Sequence, residues 1–222
     1  MKISIVIPAH EEENRIMKTL KDMKKLGGEL IIVVDDEKTA KKLEKVKNVR
    51  ILRLKKRVGK GFAVKEGVRI AKGDIIGFVD ADGSIKAKEV KKMLRYLRCT
   101  QCVIASRRVS KLFIKIPFSR NILSLGFNFL VRSFLRVGVR DTQCGAKFFT
   151  KKLKGEVLKT WVCNGFLFDV EMLLRLKKRG IEIKEVGVKW EYIPGSKINI
   201  FSMFFILIEL LKLMTAKILN IY

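Results

Sequence analysis

The stretch Ile75-Ile76-Gly77-Phe78-Val79-Asp80-Ala81-Asp82-Gly83 joins an apolar run to two acids that flank an alanine. Residues i and i+2 of a strand lie on one face, so both carboxylates can point towards one cation where the strand ends. Mg²⁺ and Mn²⁺ prefer oxygen ligands and leave coordination sites for phosphate oxygens. Asp and Gly are also common turn residues, so an isolated stretch of this kind is explained more simply by a turn. The rest of the chain decides between a metal site and a turn.

Three upstream runs are as apolar as residues 75–79, which is typical of strands buried on both faces of a parallel sheet. They cover residues 3–7, 30–34 and 49–54. Polar stretches with helical spacing alternate with these runs and cover residues 12–25, 38–46 and 60–71. The alternation predicts an α/β fold with a doubly wound, mostly parallel sheet.

Ligands of doubly wound sheets bind beyond the carboxyl ends of the strands. The predicted strand ends carry Pro8-Ala9-His10-Glu11-Glu12, then Asp35-Asp36, then the basic loop 55–61, then Asp80-Ala81-Asp82. One of the two acids Asp35 and Asp36 can accept a hydrogen bond from a nucleobase or a ribose, while the other caps the next helix. The sequence thus predicts one cleft lined by acids and by a basic loop.

Cations suited to phosphate binding occur at three positions. Lys60 lies between two glycines at a helix start, where backbone N–H groups and the helix dipole favour a diphosphate. Arg107 and Arg120 can bind a second phosphate, because a guanidinium fork binds phosphate bidentately. The chain has 48 basic residues, so an ordinary solvated side chain is the alternative for any one arginine.

The composition fits one domain with a substantial core, because 48% of the 222 residues are hydrophobic. The chain has 48 Lys and Arg against 22 Asp and Glu, which gives a net charge of +26. This charge favours polyanionic partners, which include nucleic acid, an anionic membrane and phosphorylated substrates. Four cysteines without a secretory signal predict a reducing compartment and no disulfide framework.

Two later segments, residues 118–137 and 198–221, are apolar but are interrupted by charged side chains. A spanning helix needs about 20 predominantly apolar residues, so neither segment predicts one. Both fit helices that lie in a membrane interface, and core helices that pack on the sheet are the alternative. Phe201, Phe204 and Phe205 favour the interface for the C-terminal segment.

Several motifs follow one another along the chain. They are Ile-Pro-Ala-x-x-Glu-Glu at residues 7–13, Val-Asp-Asp at 34–36, Gly-Lys-Gly at 59–61, Asp-Ala-Asp-Gly at 80–83, Arg-Asp-Thr-Gln-Cys-Gly at 140–145, Lys-x-Phe-Thr at 147–150, Phe-Asp-Val-Glu at 168–171, and Trp190 through Gly-Ser-Lys at 195–197. In these motifs the chain resembles the family 2 glycosyltransferases of the GT-A fold, and among them the dolichyl-phosphate glucosyltransferases and their mannosyltransferase relatives. The motifs at 140–145 and 168–171 favour the glucosyl branch. The chain departs from the family pattern at His10-Glu11, where Tyr-Asn is usual, and at Glu37, where Gly-Ser usually follows the paired acids.

The resemblance implies transfer of a hexose, with inversion, from a nucleotide sugar to a polyprenyl (dolichyl) phosphate. UDP-glucose is the expected donor, and GDP-mannose is the alternative. Asp80 and Asp82 would hold Mg²⁺ or Mn²⁺ across the donor diphosphate. Further donor contacts are implied for Pro8, Ala9, His10, Glu12, Asp35, Asp36, Lys60, Ala81, Ser196 and Lys197. The implied catalytic residues are Asp82, the acceptor-binding arginines Arg107 and Arg120, and Gln143 and Asp169, which would contact sugar or acceptor.

The resemblance also implies peripheral attachment to the cytoplasmic face of a membrane. We expect a catalytic domain at residues 1–197, which includes an interfacial helix at 118–137, and a membrane-associating segment at 198–222. Glucosyl members of the family often carry an N-terminal membrane helix, and this sequence shows none, so attachment is expected to rest on the two interfacial segments.

Two other classes of protein remain as alternatives. A nucleic-acid-binding module would set aromatic residues among basic ones, whereas Phe clusters here in apolar segments, so we expect no nucleic acid partner. A sugar-nucleotide nucleotidyltransferase would carry a glycine-rich basic loop after the first strand, where this chain has Pro8-Ala9-His10-Glu11-Glu12.

Overall fold

The computed structural model describes residues 1–109, 131, 133, 135, 137–159, 162–193 and 200–219, with the backbone alone for residues 200–203. Its strands are β1 Ile3–Ala9, β2 Glu29–Val34, β3 Arg50–Arg53, β4 Ile75–Val79, β5 Cys102–Ser106, β6 Ala146–Thr150 and β7 Ile183–Gly187. Within these residues they form one sheet in the order β3-β2-β1-β4-β6-β5-β7. Strand β6 runs antiparallel to both neighbours, and the other pairs are parallel.

Helices cover both faces of this sheet. They are α1 Ile16–Met23, α2 Glu37–Leu43, α3 Lys60–Ile70, α4 Ala87–Leu94, α5 Lys154–Leu158, α6 Phe168–Lys178 and α7 Ile200–Ile218. One apolar core packs α3, α6 and α7 against the sheet, and a second core packs α1, α2 and α4 against the opposite face. Side chains of β1 alternate between the two cores, with Val6 in the first and Ile5 and Ile7 in the second. The predicted doubly wound sheet is therefore confirmed.

The first four strands and first three helices occur where the sequence predicts them, with two adjustments. Strand β3 is not buried on both faces, because it forms the edge of the sheet and exposes Arg50 and Arg53. Helix α1 begins at Ile16 and not at residue 12. The intervening residues form a turn, in which the Arg15 N–H donates to the Glu12 carbonyl at 2.9 Å.

The antiparallel strand β6 brings the second half of the chain next to the end of β4. A Cβ atom on Gly77 of β4 would lie 2.2 Å from Phe148 Cδ1 on β6, so only glycine permits this close packing. Val79 pairs with Ala146. The loop that precedes β6 consequently lies beside Asp80.

The C-terminal helix α7 has two different apolar faces. Ile206, Leu210 and Leu213 are buried in the same core as α3 and α6, whereas Phe204 and Phe205 are exposed. The core alternative is therefore correct for one face, and an exposed apolar face remains for the predicted membrane contact. Over the described part of the chain, none of the helices combines the length and hydrophobicity that a bilayer crossing requires.

Most of the other predicted interfacial segment, residues 118–137, lies outside the described residues. Val131, Leu135 and Val137, which the structure does describe, are buried in the core of α3 and α6. The predicted interfacial role of this segment and the predicted division of the chain at residues 197 and 198 stay predictions.

Candidate active site

The two acids of the Asp-Ala-Asp-Gly motif follow β4 directly and are fixed by different neighbours. Asp80 Oδ1 lies 2.5 Å from Lys60 Nζ, and the Asp80 N–H donates to the Gly145 carbonyl at 2.9 Å. A Cβ atom on Gly145 would lie 2.2 Å from Asp80 Oδ2, which explains why the loop before β6 needs a glycine there. Asp82 Oδ1 accepts the Ser84 N–H at 2.9 Å. The motif is therefore a strand end held between α3 and β6.

The charges of this cluster perturb one another. Burial raises the pKa of Asp82, and the negative charge of Asp80 raises it further. Burial alone would lower the pKa of Lys60, but the nearby carboxylates of Asp80, Asp169 and Asp82 raise it above its usual value. Lys60 is thus a firmly protonated cation in a cluster of acids.

Asp80 and Asp82 have the chemistry of a site for a hard divalent cation. Carboxylate oxygens are the ligands that Mg²⁺ and Mn²⁺ prefer. The repulsion that raises the pKa of Asp82 is the kind that a bound cation relieves. The residues therefore fit a metal whose remaining ligands are phosphate oxygens and water.

A second acidic group lies at the ends of β1 and β2. Among the described residues, ligand atoms of His10, Asp35 and Asp36 lie within 4.8 Å of one another. His10 Nδ1 is 2.7 Å from Asp35 Oδ1, and Asp36 accepts the N–H groups of Thr39 at 2.8 Å and Glu11 at 2.7 Å. These contacts give His10 Nδ1 and both Asp36 carboxylate oxygens protein partners, while His10 Nε2 is buried without a hydrogen-bond partner among the described residues.

One of the two aspartates has the capping role that the sequence suggested. Asp36 is the N-cap of α2. Burial tends to raise its pKa, but the N–H groups of Thr39 and Glu11 outweigh this and hold the pKa below its usual value. Asp35 instead holds His10 at the edge of the cleft. The Glu12 carboxylate pairs with Arg15 at 2.8 Å, and the Glu12 N–H donates to the Thr39 hydroxyl at 2.8 Å.

The prediction of a diphosphate site at the start of α3 is wrong for the backbone amides. The N–H groups of Gly61 and Phe62 donate to the carbonyls of Gly165 and Asn164, each at 3.2 Å. These amides are therefore occupied by the protein and do not point towards an anion. A Cβ atom on Gly59 would lie 2.4 Å from the Asn164 carbonyl oxygen, so the glycines serve close packing. The Lys60 ammonium remains the phosphate-binding group of this prediction.

Arg107 lies at the end of β5 in a bidentate ion pair. Its Nε and Nη2 atoms lie 2.8 Å and 2.9 Å from the two carboxylate oxygens of Asp141. Burial would raise the pKa of Asp141, but its hydrogen bond and ion pair with Arg107 hold the pKa below its usual value. The guanidinium carbon also lies 5.6 Å from the Trp190 ring centre. The guanidinium edge that carries Nε and Nη2 is therefore already bound to Asp141 in this predicted phosphate-binding arginine.

Asp169 forms a buried ion pair that the sequence did not predict. Its Oδ2 lies 2.8 Å from the Nζ of Lys147, a side chain with 0% exposure. Its Oδ1 is buried without a hydrogen-bond partner among the described residues. Asp169 is also close enough to Lys60 to raise the pKa of that lysine. The predicted catalytic acid therefore belongs to the same electrostatic cluster as Asp80.

The other predicted positions are divided between the cleft edge and the part of the chain that is not described. Pro8 and Ala9 end β1, the Ala81 carbonyl accepts the Thr19 hydroxyl at 2.7 Å, and Gln143 is half-buried in the turn before Gly145. Arg120, Ser196 and Lys197 lie outside the described residues.

Two glutamates that sequence reasoning passed over bind backbone amides beside the cleft. Glu171 accepts the N–H groups of Val162 and Cys163. Glu209 of α7 accepts those of Gly165 and Leu167. In the sequence, Glu209 could have been noticed as a charged residue within an otherwise apolar helix.

Comparisons with known proteins agree with this geometry. The family model described as Glycosyl transferase family 2 matches residues 4–157. A dolichyl-phosphate beta-glucosyltransferase from Dictyostelium discoideum is 34% identical over 227 residues, which cover 90% of this chain and 69% of that protein. A human dolichyl-phosphate beta-glucosyltransferase is 30% identical, over 89% of this chain and 69% of its own length.

Solved structures with the same fold have lower identities. Mannosyl-3-phosphoglycerate synthase from Rubrobacter xylanophilus has a TM-score of 0.74 at 15% identity, over 99% of this chain and 74% of its own. Glucosyl-3-phosphoglycerate synthase from Mycobacterium tuberculosis, in complex with UDP, has a TM-score of 0.65 at 19% identity, over 91% and 74%. A mannosyltransferase from Pyrobaculum calidifontis, in complex with GDP-Man and Mn²⁺, has a TM-score of 0.60 at 14% identity, over 84% and 55%. The chain therefore has the GT-A fold and belongs to glycosyl transferase family 2.

Proposed function

We propose that this protein transfers glucose from UDP-glucose to a polyprenyl phosphate, with inversion at the anomeric carbon. The observation that carries the proposal is the cluster of Asp80, Asp82, Lys60 and Asp169 at the carboxyl end of β4. Relatives at 34% and 30% identity that are dolichyl-phosphate beta-glucosyltransferases support the choice of sugar and acceptor.

Asp80 and Asp82 would hold Mg²⁺ or Mn²⁺ at the donor diphosphate. The bound ion would act as a Lewis acid that stabilises negative charge on the departing nucleotide. Lys60 would contribute a second positive charge at the same place, because its ammonium already contacts Asp80. A solved structure with the same fold, in complex with GDP-Man and Mn²⁺, is consistent with this choice of ion.

The edge formed by Pro8, Ala9, His10 and Asp35 would receive the nucleoside. Ser196 and Lys197 would close over the diphosphate. Support for this closure comes from Glu191, whose N–H donates to the Ser84 carbonyl at 2.9 Å, close to Asp82. Ser196 and Lys197 follow Glu191 by five and six residues in the sequence.

The acceptor would supply its own nucleophile. A phosphate monoester has a second pKa of about 6, so its oxygen is anionic at neutral pH. This oxygen would attack the anomeric carbon as the bond from that carbon to the UDP oxygen breaks, and UDP would leave with the bonding electrons. Asp169 and Gln143 would orient the sugar or the acceptor. Arg107 and Arg120 would position the acceptor phosphate.

The surface that would meet the membrane combines exposed apolar and basic side chains. On α7, Phe204, Phe205 and Leu211 are between 62% and 64% exposed. The exposed basic residues 55–57 lead into Gly59, which packs on the loop that α7 also contacts. A surface of this kind binds anionic headgroups and inserts its apolar side chains into the interface. We propose peripheral attachment to the cytoplasmic face.

The test is transfer of labelled sugar to a polyprenyl phosphate in the presence of Mn²⁺ or Mg²⁺, with UDP-glucose and GDP-mannose offered in parallel. We expect a glucosyl lipid, and Asp82→Asn should lower kcat at least about 100-fold because it weakens the metal site. Asp74→Asn is the matched control, because Asp74 precedes the opposite end of β4 and accepts the Lys2 N–H. Transfer of mannose in place of glucose would contradict the donor assignment, and full activity of Asp82→Asn would contradict the site.

A further inference from the structure

The loop of residues 162–167 is held by two carboxylates that bind four of its backbone amides. Glu171 of α6 accepts the N–H groups of Val162 at 2.9 Å and Cys163 at 2.8 Å. Glu209 accepts those of Gly165 at 2.7 Å and Leu167 at 3.0 Å. Hydrogen bonds to a charged acceptor are stronger than neutral ones, so these contacts define the path of the loop.

The same loop fixes the start of α3, where Lys60 lies. The Gly165 carbonyl accepts the Gly61 N–H at 3.2 Å, one residue after Lys60. On the other side of Lys60, Gly59 approaches Asn164 so closely that a Cβ atom would lie 2.4 Å from the Asn164 carbonyl oxygen. The backbone on both sides of Lys60 therefore rests on residues 164 and 165.

The loop also determines where Asp169 lies, because residue 167 leads directly into α6. Leu167, whose N–H binds Glu209, is the residue that precedes the helix. Phe168 follows, and its ring centre lies 6.0 Å from Lys60 Nζ. Asp169 is next and holds Lys147. One loop thus positions both Lys60 and Asp169.

The contact from Glu209 is long-range and specific. Its partners Gly165 and Leu167 are 44 and 42 residues away in sequence, so the bonds form only when α7 is docked on the domain. A Cβ atom on Gly165 would lie 2.7 Å from Glu209 Oε1, so a larger residue at position 165 would displace this carboxylate. Leu210 and Leu213 hold α7 in the core independently of this carboxylate.

We infer that Glu209 is a positioning residue for the transfer reaction. It fixes the loop of residues 162–167 and thereby the positions of Lys60 and Asp169. The C-terminal helix α7 therefore supports the active site in addition to forming the proposed membrane surface. This inference rests on the proposed function for the meaning of Lys60 and Asp169. The geometry itself does not depend on which sugar is transferred.

The experiment compares Glu209→Ala, Glu209→Gln and Thr215→Ala in the full chain. Thr215 is exposed on the same helix, and its hydroxyl donates to the Leu211 carbonyl within that helix, so its substitution controls for side-chain truncation on α7. Hydrogen exchange by mass spectrometry is measured for residues 162–167 and separately for residues 204–218. Transfer kinetics are measured with a water-soluble short-chain polyprenyl phosphate, and UDP with Mn²⁺ serves as the probe of donor binding.

We expect Glu209→Ala to speed exchange in residues 162–167, to leave residues 204–218 protected, and to lower kcat roughly 10- to 100-fold, as small displacements of catalytic groups do. Glu209→Gln keeps one acceptor oxygen and should fall between Glu209→Ala and the natural protein. Unchanged loop exchange, equal losses in Thr215→Ala, or faster exchange along the whole of α7 would each overturn the inference. If the natural protein transfers no sugar, the proposed function fails, while the exchange and UDP measurements still decide whether Glu209 fixes the loop and Lys60.

Discussion

Lys147 is a fully buried cation whose removal should reveal how the cluster around Asp169 is balanced. Its ammonium lies 2.8 Å from Asp169 Oδ2 and donates to the Cys144 carbonyl at 2.9 Å. The substitution Lys147→Met keeps most of the side-chain length but removes the charge. Asp169, which is 4% exposed, then keeps a carboxylate without its direct partner.

The expected loss of stability follows from that uncompensated charge. Removal of one member of a buried ion pair costs about 3–5 kcal/mol. Lys60 also attracts Asp169, so the lower end of this range, about 3 kcal/mol, is expected. In a chain of this size each kcal/mol lowers Tm by about 2–4 °C, which predicts a Tm roughly 6–12 °C lower for Lys147→Met.

The assay is thermal unfolding followed by circular dichroism, with urea unfolding as a second measure. Lys147→Met combined with Asp169→Leu should regain most of the stability, since apolar replacement of a whole buried pair is often neutral, but it should not regain transfer. Lys159→Met, which breaks the exposed pair with Glu156 at 2.7 Å, should change stability by at most about 1 kcal/mol. A Tm of Lys147→Met equal to that of Lys159→Met, or a double variant no more stable than Lys147→Met, would refute the reasoning.

Two further predictions concern the membrane and pH. The double variant Phe204→Ser with Phe205→Ser removes two side chains that are 62% and 64% exposed, and it should weaken sedimentation with anionic vesicles at least about tenfold. The control Met17→Ser changes an exposed apolar residue of α1 and should leave vesicle binding unchanged. Equal binding of the double variant and the control would count against the membrane face. Because the pKa of Asp141 is lowered in the fold, its ion pair stabilises the protein above the unfolded pKa of about 3.9 and is lost as pH falls through the folded value. The difference in Tm between the natural protein and Asp141→Asn should therefore shrink between neutral pH and about pH 3, and a constant difference would contradict this role.

The membrane test uses point substitutions because deletion of the C-terminal segment would confound two effects. A deletion from residue 198 removes the exposed face of α7, but it also removes Glu209 and the buried contacts of Leu210 and Leu213. Loss of vesicle binding in such a deletion could then follow from damage to the loop of residues 162–167. The two-faced character of α7 is visible only once its packing partners are known.

The first half of the fold was predictable because local patterns decide it. Continuous apolar runs such as residues 75–79 form strands that are buried on both faces, and their helices follow within a few residues. Strand β6 was harder, because its antiparallel position between β4 and β5 depends on contacts that no local pattern encodes. The close packing of Gly77 on Phe148 is one such contact.

The acidic residues of the site could be predicted from the sequence, but the residues and backbone groups that contact them could not. Asp80, Asp82 and the cap formed by Asp36 follow strand ends, where short-range rules apply. The amides of Gly61 and Phe62 looked available to a diphosphate, yet a loop more than 100 residues later occupies them. Lys147 belongs to the motif at residues 147–150, but nothing local shows that Asp169 would lie beside it.

The balance of charge in the cleft explains why a cation and further basic residues are needed for the proposed reaction. Three buried or half-buried acids have their own cationic partners: Asp80 has Lys60, Asp141 has Arg107, and Asp169 has Lys147. Asp82 forms no ion pair within the described part of the chain, and burial raises its pKa. Among these four acids, Asp82 is therefore the one without an ion-pair partner in the described residues.

Both substrates of the proposed reaction would add negative charge to this cleft. The donor diphosphate carries negative charge, and the acceptor phosphate carries a charge of about −1.5 to −2 at pH 7. Asp80 and Asp82 would hold a divalent ion, whose positive charge would offset the charge of the donor diphosphate. The acceptor then needs cations that are not already committed to protein carboxylates. Arg107 is bound to Asp141 along one edge, which makes Arg120 the residue whose charge the acceptor would require most.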